Sequence, residues 1–195
     1  MRPTDWLNFF DRAVGKVARR IALFLLMTFG DFILFHGRYH VRCYGPDGAL
    51  KWEDYTDNLI TNVGLNDVLN AYIRGTTQTT AWYMGLVDNA SYSAFAAADT
   101  ASSHTGWVEN QAYSNGSRPQ WSPGAASSQS ITNASSVNFS MNATATIRGI
   151  FIASVATLGA TTGTLFSEAA FSGGNQSVNS GDTLQCTYSL SLASN

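Results

Sequence analysis

The sequence predicts a mainly β protein: an antiparallel β-sandwich of jelly-roll type with one short covering helix, preceded by an N-terminal helical and apolar arm. Three observations predict it. From Arg38 onward, short runs of alternating apolar and polar residues recur between turn-forming Gly, Pro, Asn and Ser clusters. Only one stretch of that region, running to Ile73, has the three- and four-residue apolar spacing of a helix. The first forty residues differ in kind, with six basic and three acidic side chains in a chain whose formal net charge is -2. The domain boundary is therefore placed at 37/38, giving an arm of residues 1–37 and a β-sandwich of residues 38–195.

Within the arm, Asp5 to Arg20 reads as an amphipathic helix. Trp6, Phe9, Phe10, Ala13, Val14 and Val17 share one face, with Thr4 as N-cap after Pro3. An apolar run from Ile21 to Phe29 follows, then Asp31 and Phe32 to Phe35. A basic stretch ahead of an apolar run is also the layout of a signal peptide. The leading region is long for one, and no A-x-A cleavage site follows. Asp31 interrupts a run already too short to span a bilayer. A start at Met27 is a further alternative. The reading preferred here is an arm that packs on a neighbouring protein.

In the β-region, Tyr39, Val41 and Cys43 alternate with Arg38, His40 and Arg42, the period of a half-buried strand. Gly45-Pro-Asp-Gly48 is a turn, and Ala49 to Tyr55 is the return strand with Leu50 and Trp52 on one face. A helix follows, capped by Thr61 or Asn62. Its stripe is Val63, Leu65, Val68, Leu69, Tyr72 and Ile73, and Gly75 is its left-handed stop. Ala81 to Val87 is a strand, Asn89 to Thr105 a long loop, Gly106 to Tyr113 a short strand led by Trp107, and Ser114 to Ser128 irregular. Then come Ser130 to Ala145, with Val137, Phe139 and Met141 facing in; Arg148 to Val155, more continuously apolar; and Thr164 to Phe171. The last strand alternates Leu184, Cys186, Tyr188, Leu190 and Leu192 with polar residues. Seven or eight strands result, the number of a sandwich.

Composition excludes several functions. Charged residues make up 12% of the chain, about half the usual ~25%. From Thr76 to the end there are only Asp88, Asp99, Glu109, Arg118, Arg148, Glu168 and Asp182. Neutralising a phosphate backbone needs a basic surface, so no nucleic-acid partner is expected. Cys43 and Cys186, far apart in sequence, make neither a disulfide scaffold nor a zinc site. A surface so poor in charge is poorly protected against association, which points to life inside an assembly.

Catalytic chemistry is thinly represented. His36, His40 and His104 are the only histidines. Asp99-Thr-Ala-Ser-Ser-His104 places a carboxylate, hydroxyls and an imidazole in one loop, but without the glycine frame of a nucleophile elbow. Glu53, Asp54 and Asp57 are the nearest approach to a metal cluster and read better as a polar strand end. No catalytic, metal or cofactor site is assigned. Asn-x-Ser/Thr sequons, among them those at Asn89, Asn115, Asn133, Asn142 and Asn175, fit chance in so Asn- and Ser-rich a chain. Among the aromatics, Trp82 and Trp107 fall in strands and read as core. Trp121, in a Pro/Gly/Ser loop, is the candidate for surface recognition of a protein or a sugar. In the arm, Asp5 and Asp11 dilute any membrane or nucleic-acid affinity, leaving a protein lattice as the expected partner.

Several segments, in order, resemble a family of small virion proteins of tailed bacteriophages: Asn58-Leu-Ile-Thr-Asn-Val-Gly-Leu-Asn-Asp-Val-Leu69, Ala81-Trp-Tyr-Met-Gly-Leu86, Asp99-Thr-Ala-Ser-Ser-His-Thr-Gly-Trp-Val-Glu109, and Tyr113-Ser with Arg118-Pro119. Further on come Phe139-Ser-Met-Asn-Ala-Thr144, Gly163-Thr-Leu-Phe166, Phe171-Ser-Gly-Gly174 and Ser180-Gly-Asp-Thr-Leu184. The pattern runs from Trp52 to Asn195, and residues 1–37 lie outside it. The resemblance implies a non-enzymatic capsid decoration, or cement, protein. Such a protein binds the major capsid protein lattice on the virion surface, as a homotrimer or other homo-oligomer, after assembly in the bacterial cytoplasm. Trp6, Phe9, Phe10, Arg19, Arg20 and Phe24 of the arm, with Trp121, are then the expected partner-binding residues. The alternative is a tail or fibre component that binds host glycan through Trp121 and nearby loops.

Overall fold

In the computed structural model, which describes residues 33–194, strand β1 (Ile33–Tyr44) buries Tyr39, Val41 and Cys43 and turns Arg38, His40 and Arg42 to the other face. The Gly45 to Gly48 turn reverses the chain, with Gly48 at φ 78° and its N–H on the Gly45 carbonyl at 2.9 Å. Strand β2 (Leu50–Asp57) returns antiparallel, Val41 opposite Asp54. Its inward face departs from the expectation. Leu50 is exposed and Trp52 half-buried, while Asp54 and Thr56 are buried. Both polar side chains have partners. Asp54 accepts the Ser172 and Gly173 N–H groups at 3.0 and 2.6 Å, and Thr56 donates to the Ala170 carbonyl at 2.5 Å. β1 also begins ahead of Arg38: Gly37 gives its N–H to Asn58 Oδ1 and takes the Asn58 N–H on its carbonyl, so pairing runs on upstream.

The remaining elements are β3 (Leu59–Ile60), helix α1 (Asn62–Val68), a π-helical turn (Leu69–Ile73), β4 (Trp82–Asp88), β5 (Glu109–Asn110), β6 (Gln120–Trp121), β7 (Ser130–Thr132), β8 (Val137–Ser140), β9 (Ala145–Ala153), β10 (Leu165–Ala170), β11 (Gln176–Val178) and β12 (Thr183–Ser194). They form two antiparallel sheets. Sheet A has the order β2-β1-β12-β7, with β8 also on β12. Sheet B has the order β3-β10-β9-β4-β5, with β11 on β9 and β6 on β4. The strands exceed the expected number because β3, β5, β6, β7 and β11 are two or three residues long, too short to show a period.

The two sheets stack into a β-sandwich. Tyr39, Val41, Cys43, Phe139, Leu184, Cys186 and Tyr188 of sheet A meet Met84, Leu86, Ile150, Ile152, Phe166 and Ala169 of sheet B. The strands of sheet A alternate in burial, whereas β4, β9 and β10 are buried on consecutive residues. The cause is a third layer. Residues 89–108 lie over the outer face of sheet B, where Tyr92, Phe95 and Trp107 pack on Val87, Phe151, Ala153 and Leu165. A sheet covered on both faces needs apolar or fully bonded side chains on both, which explains the continuous apolar run in β9. Residues 35–192 form one compact unit, and among the described residues no helix is long and apolar enough to cross a membrane.

Helix α1 covers one edge of sheet B. Thr61 is its N-cap, accepting the Gly64 N–H at 3.0 Å, and Gly64 lies against the Phe166 backbone, where a Cβ would come within 2.5 Å of the carbonyl oxygen. The expected stripe holds only through Val68. The chain then widens into the π turn, whose signature is Arg74 N–H on the Leu69 carbonyl, and Gly75 stops it at φ 73°. Widening rotates the stripe off the sheet, so Leu69, Tyr72 and Ile73 are 58%, 85% and 74% exposed instead of covered.

Candidate functional site

The long loop is held by its own chemistry-bearing residues. Asp99 is buried and accepts the Trp107 indole N–H and the Ala96 N–H, both at 3.2 Å. Ala96 also donates to Glu168 Oε1 on β10 at 3.1 Å. The His104 ring stacks on Trp107 with centroids 4.0 Å apart, and its Nδ1 lies 3.1 Å from the Trp107 carbonyl. The Asp99 to His104 segment, read from sequence as the best catalytic fragment, is thus a structural turn around an aromatic anchor. Trp107 is core, as its place in the pattern predicts.

Beside this layer is a cavity of about 270 Å³, floored by Phe151, Ala153 and Leu165 and walled by His104, Glu109 and Arg118. Arg118 grips Glu109 with two bonds, Nε to Oε1 at 2.7 Å and Nη2 to Oε2 at 2.9 Å. Its Nη1 donates to the Val155 carbonyl, its guanidinium lies 5.0 Å from the Phe151 ring centroid, and Glu109 also accepts the Gly159 N–H. A buried pair with this many partners fixes segments 109–118 and 155–159 to each other. Its groups are spent on one another, which suits a brace better than an acid–base pair.

The acidic strand end disperses in the same way. Glu53 lies 3.2 Å from His40 Nε2, Asp57 accepts Arg38 Nε at 3.0 Å, and Asp54 holds the 172–173 turn. Among the described residues no three His, Cys, Asp or Glu side chains are grouped to hold a metal ion. Cys43 and Cys186 are buried free thiols, and burial pushes Cys43 up to about 12.

Of the expected partner-binding residues, Trp6, Phe9, Phe10, Arg19, Arg20 and Phe24 lie outside the described residues. Trp121 is a correction. It is 6% exposed, lies on β6 against the core, and meets Tyr188 edge-on at 5.3 Å. Pairing of Trp121 with Trp82 on β4 turns its indole inward, so its Pro/Gly/Ser surroundings misled. With it goes the basis for a glycan platform on this residue.

The surface feature that sequence could not display is where charge goes. All seven charged residues beyond Thr76 are buried or half-buried; none is exposed. All seven have partners within the fold: Asp99, Glu109, Arg118 and Glu168 as above; Asp182, which accepts Lys51 Nζ and the Asn179 N–H; Asp88, which accepts the Ala90 N–H and the Asn110 amide; and Arg148, which donates to the Phe171 carbonyl. Among the described residues the exposed charges are Arg38, Asp47, Lys51, Glu53, Asp57 and Arg74. Five of these sit on the β1–β2 hairpin, where β2 is an edge of sheet A and charge discourages further strand addition. From Thr76 on, the described surface carries no exposed charged residue, and just before it in the chain stand the exposed Leu69, Tyr72 and Ile73.

No protein-family model matches the chain, and no curated protein matches it in sequence.

Proposed function

We propose that this chain is a non-enzymatic virion structural protein of a tailed bacteriophage, a capsid decoration protein that binds the major capsid protein lattice and stabilises the head. The observation that carries the reading is the lack of any exposed charged residue beyond Thr76 among the described residues, together with the exposed apolar side chains of the π turn. A protein interface is depleted in charge at its centre and enriched in apolar and aromatic groups. Full burial of a side chain of this size is worth about 1.5–3 kcal/mol, so three together can anchor a partner. The polar residues that resembled a catalytic loop hold the fold together instead, which supports a scaffold over an enzyme.

Within this reading the sandwich is a jelly roll, a topology favoured by the pairing of its first and last long strands, β1 and β12. The N-terminal residues ahead of β1 are the arm that reaches a neighbouring subunit, and copies assemble on the virion surface as a homotrimer or other homo-oligomer. The test is cosedimentation of the full chain with empty shells. Leu69→Gln, Tyr72→Ser and Ile73→Gln together should weaken binding at least tenfold at unchanged thermal stability. Trp6→Ala, Phe9→Ala and Phe10→Ala should also release the protein. Wild-type affinity in both triple variants contradicts the proposal.

A further inference from the structure

Glu168 stands in the middle of β10, opposite Phe151 on β9 and Leu59 on β3, and is completely buried beneath residues 89–108. One oxygen, Oε1, takes the Ala96 N–H; the other, Oε2, is buried without a hydrogen-bond partner. An orphaned carboxylate oxygen at that depth is costly. The neighbouring buried carboxyl is Asp99, whose Oδ2 takes the same Ala96 N–H that Glu168 Oε1 takes. Two buried carboxylates this close repel when both are ionised, and one proton on Glu168 removes the repulsion and the cost of a buried, unpartnered charged oxygen.

We propose that the Asp99–Glu168 pair is a proton-operated latch: with one proton on Glu168, residues 89–108 stay docked on the outer face of sheet B, and loss of that proton releases them. This layer has no strand pairing over most of its length and rests on Trp107, Phe95 and Tyr92, so the carboxyl pair is its main polar tie to β10. Of the other titratable groups, buried Tyr39 reaches β10 from β1, with its hydroxyl 2.7 Å from Ser167 Oγ, and the rest are turned elsewhere. His104 lies on Trp107, Arg148 over the Tyr92 ring at 4.8 Å, Asp88 accepts the Ala90 N–H, and the Glu109–Arg118 pair lies beyond Phe151. β3 contributes only Leu59 opposite Glu168. Burial, then Asp99, raises the Glu168 carboxyl to about 8 from an ordinary 4.5, while the Ala96 and Trp107 N–H groups oppose this.

The sign follows from linkage. Docked Glu168 keeps its proton; released Glu168, exposed to water, loses it near the ordinary value. Release therefore becomes about tenfold more favourable per pH unit between about 4.5 and about 8, and levels off above. The proposal does not depend on what the protein assembles with.

The test is hydrogen exchange of the full-length protein from pH 5 to 9.5, with protection factors corrected for intrinsic rates. Peptides covering 92–107 should lose protection about tenfold per pH unit up to about 8 and then plateau, while peptides covering 184–188 stay constant. Glu168→Gln should abolish the dependence, and His104→Gln should keep it. If Glu168→Gln fails to fold, Asp99→Asn serves: it should end the loss of protection at a lower pH. Protection at 92–107 that does not change with pH overturns the latch, as does wild-type behaviour in Glu168→Gln or Asp99→Asn.

Discussion

The indole N–H of Trp121 donates to Asn133 Oδ1 at 2.7 Å, and the same oxygen accepts the backbone N–H of Tyr188 at 2.8 Å. The Asn133 amide group in turn donates to the Cys186 and Ser135 carbonyls at 3.0 and 3.1 Å. One side chain thus satisfies both its acceptor and donor capacity, and ties β6 to β12 across the end of the sandwich.

Asn133→Ala strands several of these groups at once and should destabilise the fold by about 3 kcal/mol in urea unfolding. Trp121→Phe removes one bond while Tyr188 still pairs with Asn133, and should cost about 1 kcal/mol. Equal losses in the two variants would show that the indole, not the amide, organises this end. The sequon at Asn133 is consumed by the same bonds.

The Glu109–Arg118 brace predicts asymmetric losses. Both side chains are nearly inaccessible, at 6% and 4% exposure. Arg118→Met leaves a buried carboxylate with only the Gly159 N–H, and should cost about 3–5 kcal/mol. Adding Glu109→Leu should recover most of that in the same urea measurement, since the uncompensated charge is gone.

The hairpin leading into β7 holds left-handed backbone at two non-glycine residues, Ser128 at φ 50° and Gln129 at φ 57°. Ser127 and Ser130 exchange both backbone hydrogen bonds across it, at 2.9 and 3.0 Å. A two-residue loop of this kind favours Asn-Gly. Ser128→Asn with Gln129→Gly should raise stability by about 1 kcal/mol, read as a higher melting temperature.

The Asp182 carboxyl predicts acid sensitivity. Burial alone raises it, but Lys51, the Asn179 N–H and the Cys43 thiol outweigh burial and hold it below the ordinary value of 3.8. Its stabilisation is therefore present above that value and is lost as pH falls through the lower, folded one. Melting temperature should drop on acidification below about pH 4 in the wild type. Asp182→Asn should melt lower at neutral pH and lack that share of the acid loss.

The parts of the fold legible in sequence are those governed by a local period or turn. The alternation of Tyr39, Val41 and Cys43, the Gly45 to Gly48 turn, the inward Val137, Phe139 and Met141, and the Thr61 cap all follow from residues a few positions apart. What escaped is set at long range. Trp121 looks like a loop residue until Trp82 pairs with it, and Asp54 and Thr56 look exposed until segment 170–173 supplies their partners. The apolar stripe of the helix misled beyond Val68 because nothing nearby in sequence announces the π turn. Of the candidate surface, the scarcity of charge was visible; the burial of Asp182 and Glu168 was not, since their partners Lys51 and Ala96 lie far away in sequence.

The most direct test of the virion proposal is a labelled low-resolution map of the particle that contains this protein. The account predicts label spread regularly over the head, at repeated positions on the capsid lattice. Label confined to the tail contradicts a decoration role, and particles without label contradict a virion role altogether.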